Sequence, residues 1–267
     1  MKAGEKMESI ILKRDGAIAT VTLNRPAALN ALSAQMNLEL SELTSELEGD
    51  ESVRCVVIQG AGDHFMAGGD VKGFNEATLD PHLRKLALER GIAETHSIIT
   101  RLRRMPKPVI ASVTGAVAGF GVSLMSACDL VIAADNSFFT LAYCHIGASP
   151  DGGATYALPR LVGIKLAMEI ALLGNRFDAR RALELGLVNR VVALSEIETE
   201  TSKLAALLAK GPTAVYGRTK HLINESLDHT LAEHLQAEQD SFVASASGID
   251  FAEGVRAFVE KRKPVFV

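Results

Sequence analysis

Two glycine-rich stretches constrain this chain more than any other feature of its sequence. The first reads FMAGGD at residues 65–70, and the second reads GAVAGFG at residues 115–121. Each follows an apolar run, 55–58 or 108–113, that predicts a buried strand. Small residues after a strand let the backbone approach a ligand closely and turn its N–H groups toward it. Two such turns on one sheet predict a pair of N–H donors directed at a single oxygen.

The remaining pattern predicts an α/β chain whose C-terminal part is helical. Asp15-Gly16 joins two short apolar runs, which is a hairpin signal. Farther along, strands and amphipathic helices alternate, and from residue 197 onward the apolar spacing is almost wholly helical. We therefore expect an α/β core over residues 1–195, which holds the site, and a helical segment over residues 196–267. Strands are predicted at 10–12, 18–23, 53–59, 109–113, 130–133, 137–140 and 188–192.

Composition narrows the class of protein. The chain has 267 residues with a net charge of −4, and this balance does not favour nucleic acid as a partner. Cys55, Cys128 and Cys144 form no close pairs, which favours a reducing compartment over a disulfide framework. No apolar run approaches the ~18 residues needed to span a bilayer. We expect a cytoplasmic protein without a membrane or nucleic-acid partner.

Other motif interpretations fit the residues less well. The glycines at 115, 119 and 121 match neither of the glycine-rich phosphate-binding patterns, and no G-x-S-x-G element is present. The seven histidines lie apart in the sequence, so no metal site is predicted. A further alternative is that the glycines only permit close packing of a helix against a strand.

Four segments, in this order, resemble the crotonase (enoyl-CoA hydratase/isomerase) superfamily over most of the chain. Segment FMAGGD resembles its F-x-A-G-x-D motif, and the stretch from Pro106 through the second glycine-rich turn to Leu130 resembles its central signature. The outer two segments resemble the first CoA-binding stretch and the C-terminal helix; they are residues 24–32 and 253–266.

The resemblance implies a spiral of β-β-α units with a C-terminal helical trimerisation region, as a trimer or a dimer of trimers. It implies an acyl-CoA thioester substrate; coenzyme A is then part of the substrate, and no separate cofactor is expected. By motif, the N–H groups of Ala67 and Phe120 would hold the thioester oxygen. Phe120 stands where the family usually has glycine, so its side chain could distort the turn or occlude the pocket.

The resemblance also implies contacts with coenzyme A. Arg25 is expected to meet a phosphate of CoA, while Phe258 and Lys261 would contact CoA bound by a neighbouring subunit. Asp70 is expected to hold its loop through backbone hydrogen bonds. Four further residues are assigned to CoA binding: Ala28 and Leu29 in the first CoA-binding stretch, and Ala67 and Val71 in and directly after the first glycine-rich turn.

The acid–base residues decide the reaction. At the positions of the two glutamates of a hydratase of this family, the chain has Ser123 and Tyr143. Neither hydroxyl is an effective base at neutral pH. Asp151 lies where several isomerases of the family carry a catalytic aspartate, and one carboxylate can move a proton between two carbons of an enolate. The sequence therefore favours an acyl-CoA isomerase with Asp151 as base, or Asp151 as a helix N-cap.

Three alternatives stay open. His96 and Tyr143 lie at positions that resemble those of the aroyl-CoA dehalogenase subgroup, in which Asp151 would be a nucleophile; His96 could equally pack on an amphipathic helix. Glu76 or Glu89 could enter the pocket and support a hydratase or hydrolase. The loss of the two glutamates is also compatible with a non-catalytic acyl-CoA-binding protein.

Overall fold

In the computed structural model, residues 7–71 and 80–267 are described. They include ten strands, which form two sheets. Three short 3-10 turns at Pro26–Ala28, Tyr143–Ile146 and Leu194–Glu196 connect elements near the ends of strands. The strands are β1 (Ile10–Asp15), β2 (Ile18–Leu23), β3 (Cys55–Gly60), β4 (Met66–Ala67), β5 (Val109–Val113), β6 (Ala116–Ala118), β7 (Leu130–Ala134), β8 (Phe138–Thr140), β9 (Phe177–Asp178) and β10 (Arg190–Val192).

Ten α-helices occur in the same described part of the chain. Several begin at a residue whose side chain caps the first turn, such as Ser33, Asp178 and Thr230. The helices are α1 (Ala34–Gly49), α2 (Pro81–Arg104), α3 (Phe120–Ala127), α4 (Ala154–Val162), α5 (Ile164–Leu173), α6 (Ala179–Glu184), α7 (Ile197–Ala209), α8 (Thr213–Glu225), α9 (Leu231–Ala246) and α10 (Ile249–Val259).

The first sheet has six strands in the order β1-β2-β3-β5-β7-β10. The β1–β2 pair is antiparallel and turns at Asp15-Gly16, where Gly16 has φ +54°. This confirms the predicted hairpin. The other neighbouring pairs are parallel, so the carboxyl ends of β3 and β5 meet at one edge of the sheet.

The second sheet is built from short strands in the order β4-β6-β8-β9. Strand β4 contains the start of the first glycine-rich stretch, and β6 lies inside the second. The two strands pair in parallel, with Met66 opposite Val117 and Ala67 opposite Ala118. This pairing brings the two glycine-rich turns side by side.

The helical segment is not separate from the core. Leu204 and Ala205 of α7 pack against Val57 and Ile110 of the first sheet, and the Thr201 hydroxyl lies 2.8 Å from that of Ser112. Packing of the core therefore continues past residue 195, and the change to helix near that residue does not mark the end of the packed unit. The later helices α8–α10 carry many exposed apolar side chains.

Within the described ranges, we find no helix with the length and apolar character required to cross a lipid bilayer.

Candidate active site

The two glycine-rich turns touch each other just beyond β4 and β6. A Cβ atom placed on Gly119 would lie 3.3 Å from the Cα of Gly68, and one placed on Gly68 would lie 3.5 Å from the carbonyl oxygen of Ala118. Both glycines have positive φ, +89° for Gly68 and +50° for Gly119. Glycine is required here both for the backbone conformation and for the close approach of the two chains.

The direction of the N–H groups corrects one prediction. The Ala67 N–H donates to the carbonyl oxygen of Leu29 at 3.0 Å, so it is not free for a thioester oxygen. Leu32 bridges the next residues, because its N–H donates to Gly68 and its carbonyl accepts from Asp70. The N–H of Gly69 has no acceptor among residues 7–71 and 80–267. In this turn the free donor is therefore Gly69, two residues beyond the predicted one.

The second predicted donor is the N–H group of Phe120. Phe120 is the first residue of α3, and the first N–H groups of a helix have no partner within it. The Gly119 N–H is taken by the carbonyl of Thr140 at 2.9 Å, whereas the N–H of Phe120 meets no acceptor in the described part of the chain. The free N–H groups of Gly69 and Phe120 therefore follow directly after the two glycines that touch.

Asp151 lies between the Tyr143–Ile146 turn and α4. Its carboxylate Oδ1 accepts a short hydrogen bond from the hydroxyl of Tyr143, and its main-chain carbonyl accepts one from Ser123 Oγ at 2.9 Å. Helix α4 has Gly153 as N-cap and no side-chain cap. The N-cap interpretation of the Asp151 side chain is therefore wrong, and the carboxylate is directed at Tyr143 instead.

Tyr143 connects Asp151 to the second glycine-rich turn. Its Cε2 would lie 3.8 Å from a Cβ on Gly119, so the ring runs beside the turn that carries the Phe120 N–H. Burial raises the pKa of the Tyr143 hydroxyl well above its usual range, and the negative charge of Asp151 raises it further. Tyr143 is thus a fixed donor at neutral pH and holds one of the two carboxylate oxygens.

The side chains that could act as a second acid or base are not beside Asp151. His96 is exposed on α2, and its imidazole makes no hydrogen bond or ion pair among the described residues. Ile99, three residues farther on, is the α2 side chain that faces the Asp151 loop, 3.6 Å from a Cβ on Gly153. Glu89 is largely exposed and lies 3.7 Å from Lys85. Glu76 lies outside the described residues.

Most of the residues assigned to CoA binding surround the first turn. Arg25 donates to the Asp70 carboxylate at 2.9 Å and to the Ala31 carbonyl at 2.6 Å. This guanidinium therefore braces the turn and is not simply a solvated charge. Ala28 ends the Pro26–Ala28 turn, and Leu29, the next residue, is 44% exposed. Val71 directly follows the first glycine-rich stretch and is 48% exposed.

The other two assigned residues lie elsewhere in this chain. Phe258 is 85% exposed near the end of α10, and Lys261 follows that helix with φ +56°. Neither contacts the first turn among the described residues, so their assignment stays a prediction. The same described part of the chain contains no cluster of three histidine, cysteine or acidic side chains arranged to hold a metal.

Comparison with known proteins shows the family to which this chain is similar. A model of the enoyl-CoA hydratase/isomerase family matches residues 13–267. The 1,2-epoxyphenylacetyl-CoA isomerase of Escherichia coli (strain K12) is 37% identical over 261 residues, which cover 97% of this chain and 98% of that protein. The 4-chlorobenzoyl coenzyme A dehalogenase-2 of an Arthrobacter species is 34% identical and covers 94% of this chain and 91% of its own.

The fold agrees with that result. The crystal structure of an enoyl-CoA hydratase from Polaromonas sp. JS666 superposes with a TM-score of 0.91 at 35% identity, covering 97% of this chain and 99% of that one. The mixed α/β fold with parallel sheets and a helical C-terminal region, as predicted, is confirmed. Since both the sequence match and the fold extend over almost the whole chain, the protein belongs to the enoyl-CoA hydratase/isomerase family of the crotonase superfamily.

Proposed function

We propose that this protein is an acyl-CoA isomerase that moves a double bond through a thioester enolate. One observation carries the proposal: a single carboxylate, Asp151, is held by Tyr143 beside a pair of free N–H groups, and hydroxyls replace the two glutamates of a hydratase. One carboxylate is sufficient for proton transfer between two carbons. Addition of water needs an activated water molecule as well.

The reaction follows from the positions of these groups. Asp151 removes a proton from the carbon between the thioester and the 3,4 double bond, and the electrons of that C–H bond move to the thioester oxygen. The resulting dienolate is stabilised by the N–H groups of Gly69 and Phe120, because fixed donors act where charge develops, each at about 3–4 kcal/mol. Asp151 then returns the proton to carbon 4, and the electrons restore the carbonyl and form the 2,3 double bond.

Tyr143 positions the base and does not itself transfer the proton. Because its hydroxyl donates to Oδ1, the carboxylate keeps a fixed orientation and Oδ2 is left for the substrate. A hydroxyl whose pKa is raised by burial stays protonated at neutral pH and remains a donor.

Relatives support the substrate class and leave the reaction open. The names of the Escherichia coli and Arthrobacter proteins both specify coenzyme A thioesters, and the first is an isomerase. The dehalogenase name favours the nucleophilic alternative for Asp151. That alternative needs a base to activate water, and the exposed His96 makes no contact with Asp151.

We further propose a cytoplasmic homo-oligomer, a trimer or a dimer of trimers. Apolar side chains exposed on the C-terminal helices support association, since exposed apolar patches commonly mark interfaces. Leu231, Phe242 and Phe258 are 76%, 66% and 85% exposed. Light scattering coupled to size-exclusion chromatography would give the mass of the particle, and a monomer at micromolar concentration would contradict this part of the proposal.

The reaction is tested with 3-enoyl-CoA and 2-enoyl-CoA in deuterated water. An isomerase interconverts the two and incorporates deuterium, a hydratase forms 3-hydroxyacyl-CoA, and a binding protein gives saturable binding without turnover. We expect Asp151→Asn to lower kcat by about 10²–10⁴-fold. Glu89→Gln and Glu76→Gln test the two alternative bases, and Asp240→Asn, at an exposed position on α9, is the matched control for loss of an aspartate carboxylate. Full isomerisation by Asp151→Asn would overturn the mechanism.

A further inference from the structure

The ring of Phe120 is wedged against the loop that carries Asp151. Gly152 has φ +60°, and a Cβ placed on it would lie 2.7 Å from both Cδ2 and Cε2 of Phe120 and 2.9 Å from Cβ of Ser123. Phe120 is 3% exposed and Ser123 is 2% exposed. No side chain larger than glycine fits at residue 152 while the ring is there.

A cleft of about 310 Å³ is lined in part by the same loop. Ser123, Ser126 and Gly152 line one side of it. The hydroxyl of Ser126 is buried and has no hydrogen-bond partner in the described part of the chain. A cleft of this size has room for several water molecules at about 30 Å³ each, and water needs polar partners of this kind. The opposite side is charged and includes Arg103, His221, Glu225 and Asp228.

Phe120 packs beside the part of the cleft that is nearest to Asp151. Ser123 and Gly152 line the cleft, whereas Phe120 does not. The Asp151 carboxylate is bonded to Tyr143, which does not line the cleft and lies beside Gly119. The ring of Phe120 packs against the Gly152 side of the loop, and the main-chain carbonyl of Asp151 accepts a hydrogen bond from Ser123 Oγ at 2.9 Å.

We propose that Phe120 determines the reaction outcome by keeping water of the cleft away from Asp151 and the substrate. The inference rests on the proposed function, because it concerns a reaction that competes with the return of the proton from Asp151 to carbon. Asp151 carries the proton it has removed, and in a dry site it can only deliver that proton to a carbon. If water reaches the carboxylate, a second reaction of the 2-enoyl product opens.

That second reaction is hydration, and its atoms balance without another reactant. The oxygen of water forms a bond to carbon 3 as the Asp151 carboxylate takes one of its protons. The electron pair of the 2,3 double bond moves through the enolate and forms a C–H bond at carbon 2 with that proton. The product is 3-hydroxyacyl-CoA, and Asp151 is regenerated as the carboxylate.

The test compares Phe120→Ala with Phe120→Leu, both of which keep the main-chain N–H. Each variant is given 3-enoyl-CoA in water enriched in oxygen-18, and the ratio of labelled 3-hydroxyacyl-CoA to 2-enoyl-CoA is measured by mass spectrometry. Phe120→Ala is expected to raise this ratio by about tenfold or more relative to the wild type, because water enters the site. Phe120→Leu fills most of the space and is expected to leave the ratio near that of the wild type.

A second pair of variants tests the same contact at Ser123. Ser123→Gly removes the Cβ that faces Gly152 and is expected to raise the ratio, whereas Ser123→Ala keeps that atom, loses only the hydroxyl, and is expected to leave the ratio unchanged. If Phe120→Ala and Ser123→Gly both isomerise with an unchanged ratio, the proposal is wrong and the isomerase function stands. If the wild type does not isomerise, the proposed function fails by itself.

In that case, the contact between the Phe120 ring and Gly152 is tested by thermal unfolding. Gly152→Ala should lower the Tm of the wild type, and it should lower the Tm of Phe120→Ala by less than about half as much, because contacting residues are energetically coupled. Equal losses in both backgrounds would show that the ring does not press on the loop, and the proposal would be overturned together with the function.

Discussion

The hydroxyl of Tyr143 donates to Oδ1 of Asp151, a residue eight positions farther along the chain. The two side chains are brought together because the Tyr143–Ile146 turn ends at Gly147 with φ +68° and the chain then folds back. A partly buried donor thus fixes the Asp151 carboxylate, and its ring lies beside the second glycine-rich turn. The relationship distinguishes this site from that of a two-glutamate hydratase, in which the positions of Ser123 and Tyr143 carry acids.

Tyr143→Phe is expected to lower kcat with little change in KM. The variant keeps the ring beside Gly119 and loses only the hydroxyl, and a hydrogen bond to a charged group contributes about 1.5–3 kcal/mol. The loss corresponds to roughly 10–100-fold in kcat. Steady-state kinetics with 3-enoyl-CoA measures it, and Tyr216→Phe, a tyrosine outside the site, is the control. A loss confined to KM would mean that Tyr143 binds substrate and does not orient the base.

Gly119→Ala is expected to damage activity more than stability. Its Cβ would lie 3.3 Å from the Cα of Gly68. The backbone at this position has φ +50° and ψ −119°, a sparsely populated region that costs an alanine about 1–3 kcal/mol. Moving the two turns apart also displaces the free N–H groups, for which we expect a loss in kcat of about 10²-fold.

Gly91→Ala provides the control for this substitution. Gly91 lies within α2, a Cβ there meets nothing within 4 Å, and the change should stabilise the helix by about 0.5–1 kcal/mol. Thermal unfolding and kcat are measured for both variants. Normal turnover by Gly119→Ala would contradict the close approach of the turns.

Lys220→Met is expected to destabilise the protein more at pH 7 than at pH 5. The Lys220 ammonium is 2.8 Å from Asp129 and also donates to the Leu102 carbonyl at 2.6 Å. Burial raises the pKa of Asp129, and Lys220 opposes this shift. Without the lysine, the Asp129 carboxylate has lost its ion-pair partner, and we expect the free energy of unfolding at pH 7 to fall by about 2–3 kcal/mol. This is less than for a fully buried pair, because the Asp129 side chain is 24% exposed.

The sign of the pH dependence follows from linkage. A carboxyl group whose pKa is higher in the folded state takes up a proton on folding, so its contribution to stability falls as pH rises through that window. Removing Lys220 raises the folded pKa of Asp129 further, and the variant should regain stability as pH falls from 7 to 5. Urea unfolding at the two pH values measures this, with Lys203→Met as control for a lysine in an exposed pair with Glu200. An equal loss at both values would mean that Asp129 does not titrate in that range.

Much of the fold could be predicted from local pattern, because strands and helices of five or more residues leave a periodic signal. The hairpin at Asp15-Gly16 is found where the sequence places it. Strands β4 and β9 have two residues each, which is too short for any period to be seen. Of the second sheet, the sequence predicts the strand at 137–140, which corresponds to β8, but not the pairing of β4 with β6 that aligns the two glycine-rich turns.

The site shows the same limit. Asp151 and Tyr143 could be selected by residue type and position, but the short bond between them depends on a fold-back that spacing alone does not describe. The motif alone predicts the donor of the first turn at Ala67. A motif carries no information on which N–H groups are already bonded. That choice is made by Leu29 and Leu32, which lie more than 30 residues earlier and pair with the turn only in the folded chain.

Gly69→Pro tests the corrected donor. Proline lacks the N–H group, so this substitution removes the proposed donor and leaves the Ala67 bond to Leu29 in place. We expect kcat to fall by about 10²–10³-fold, as for loss of one oxyanion donor. Gly69→Ala keeps the N–H and is the matched control, and circular dichroism with thermal unfolding establishes that both variants are folded. If folded Gly69→Pro turns over like Gly69→Ala, the thioester oxygen is held by another group, and the enolate would rest on the Phe120 N–H without the Gly69 donor.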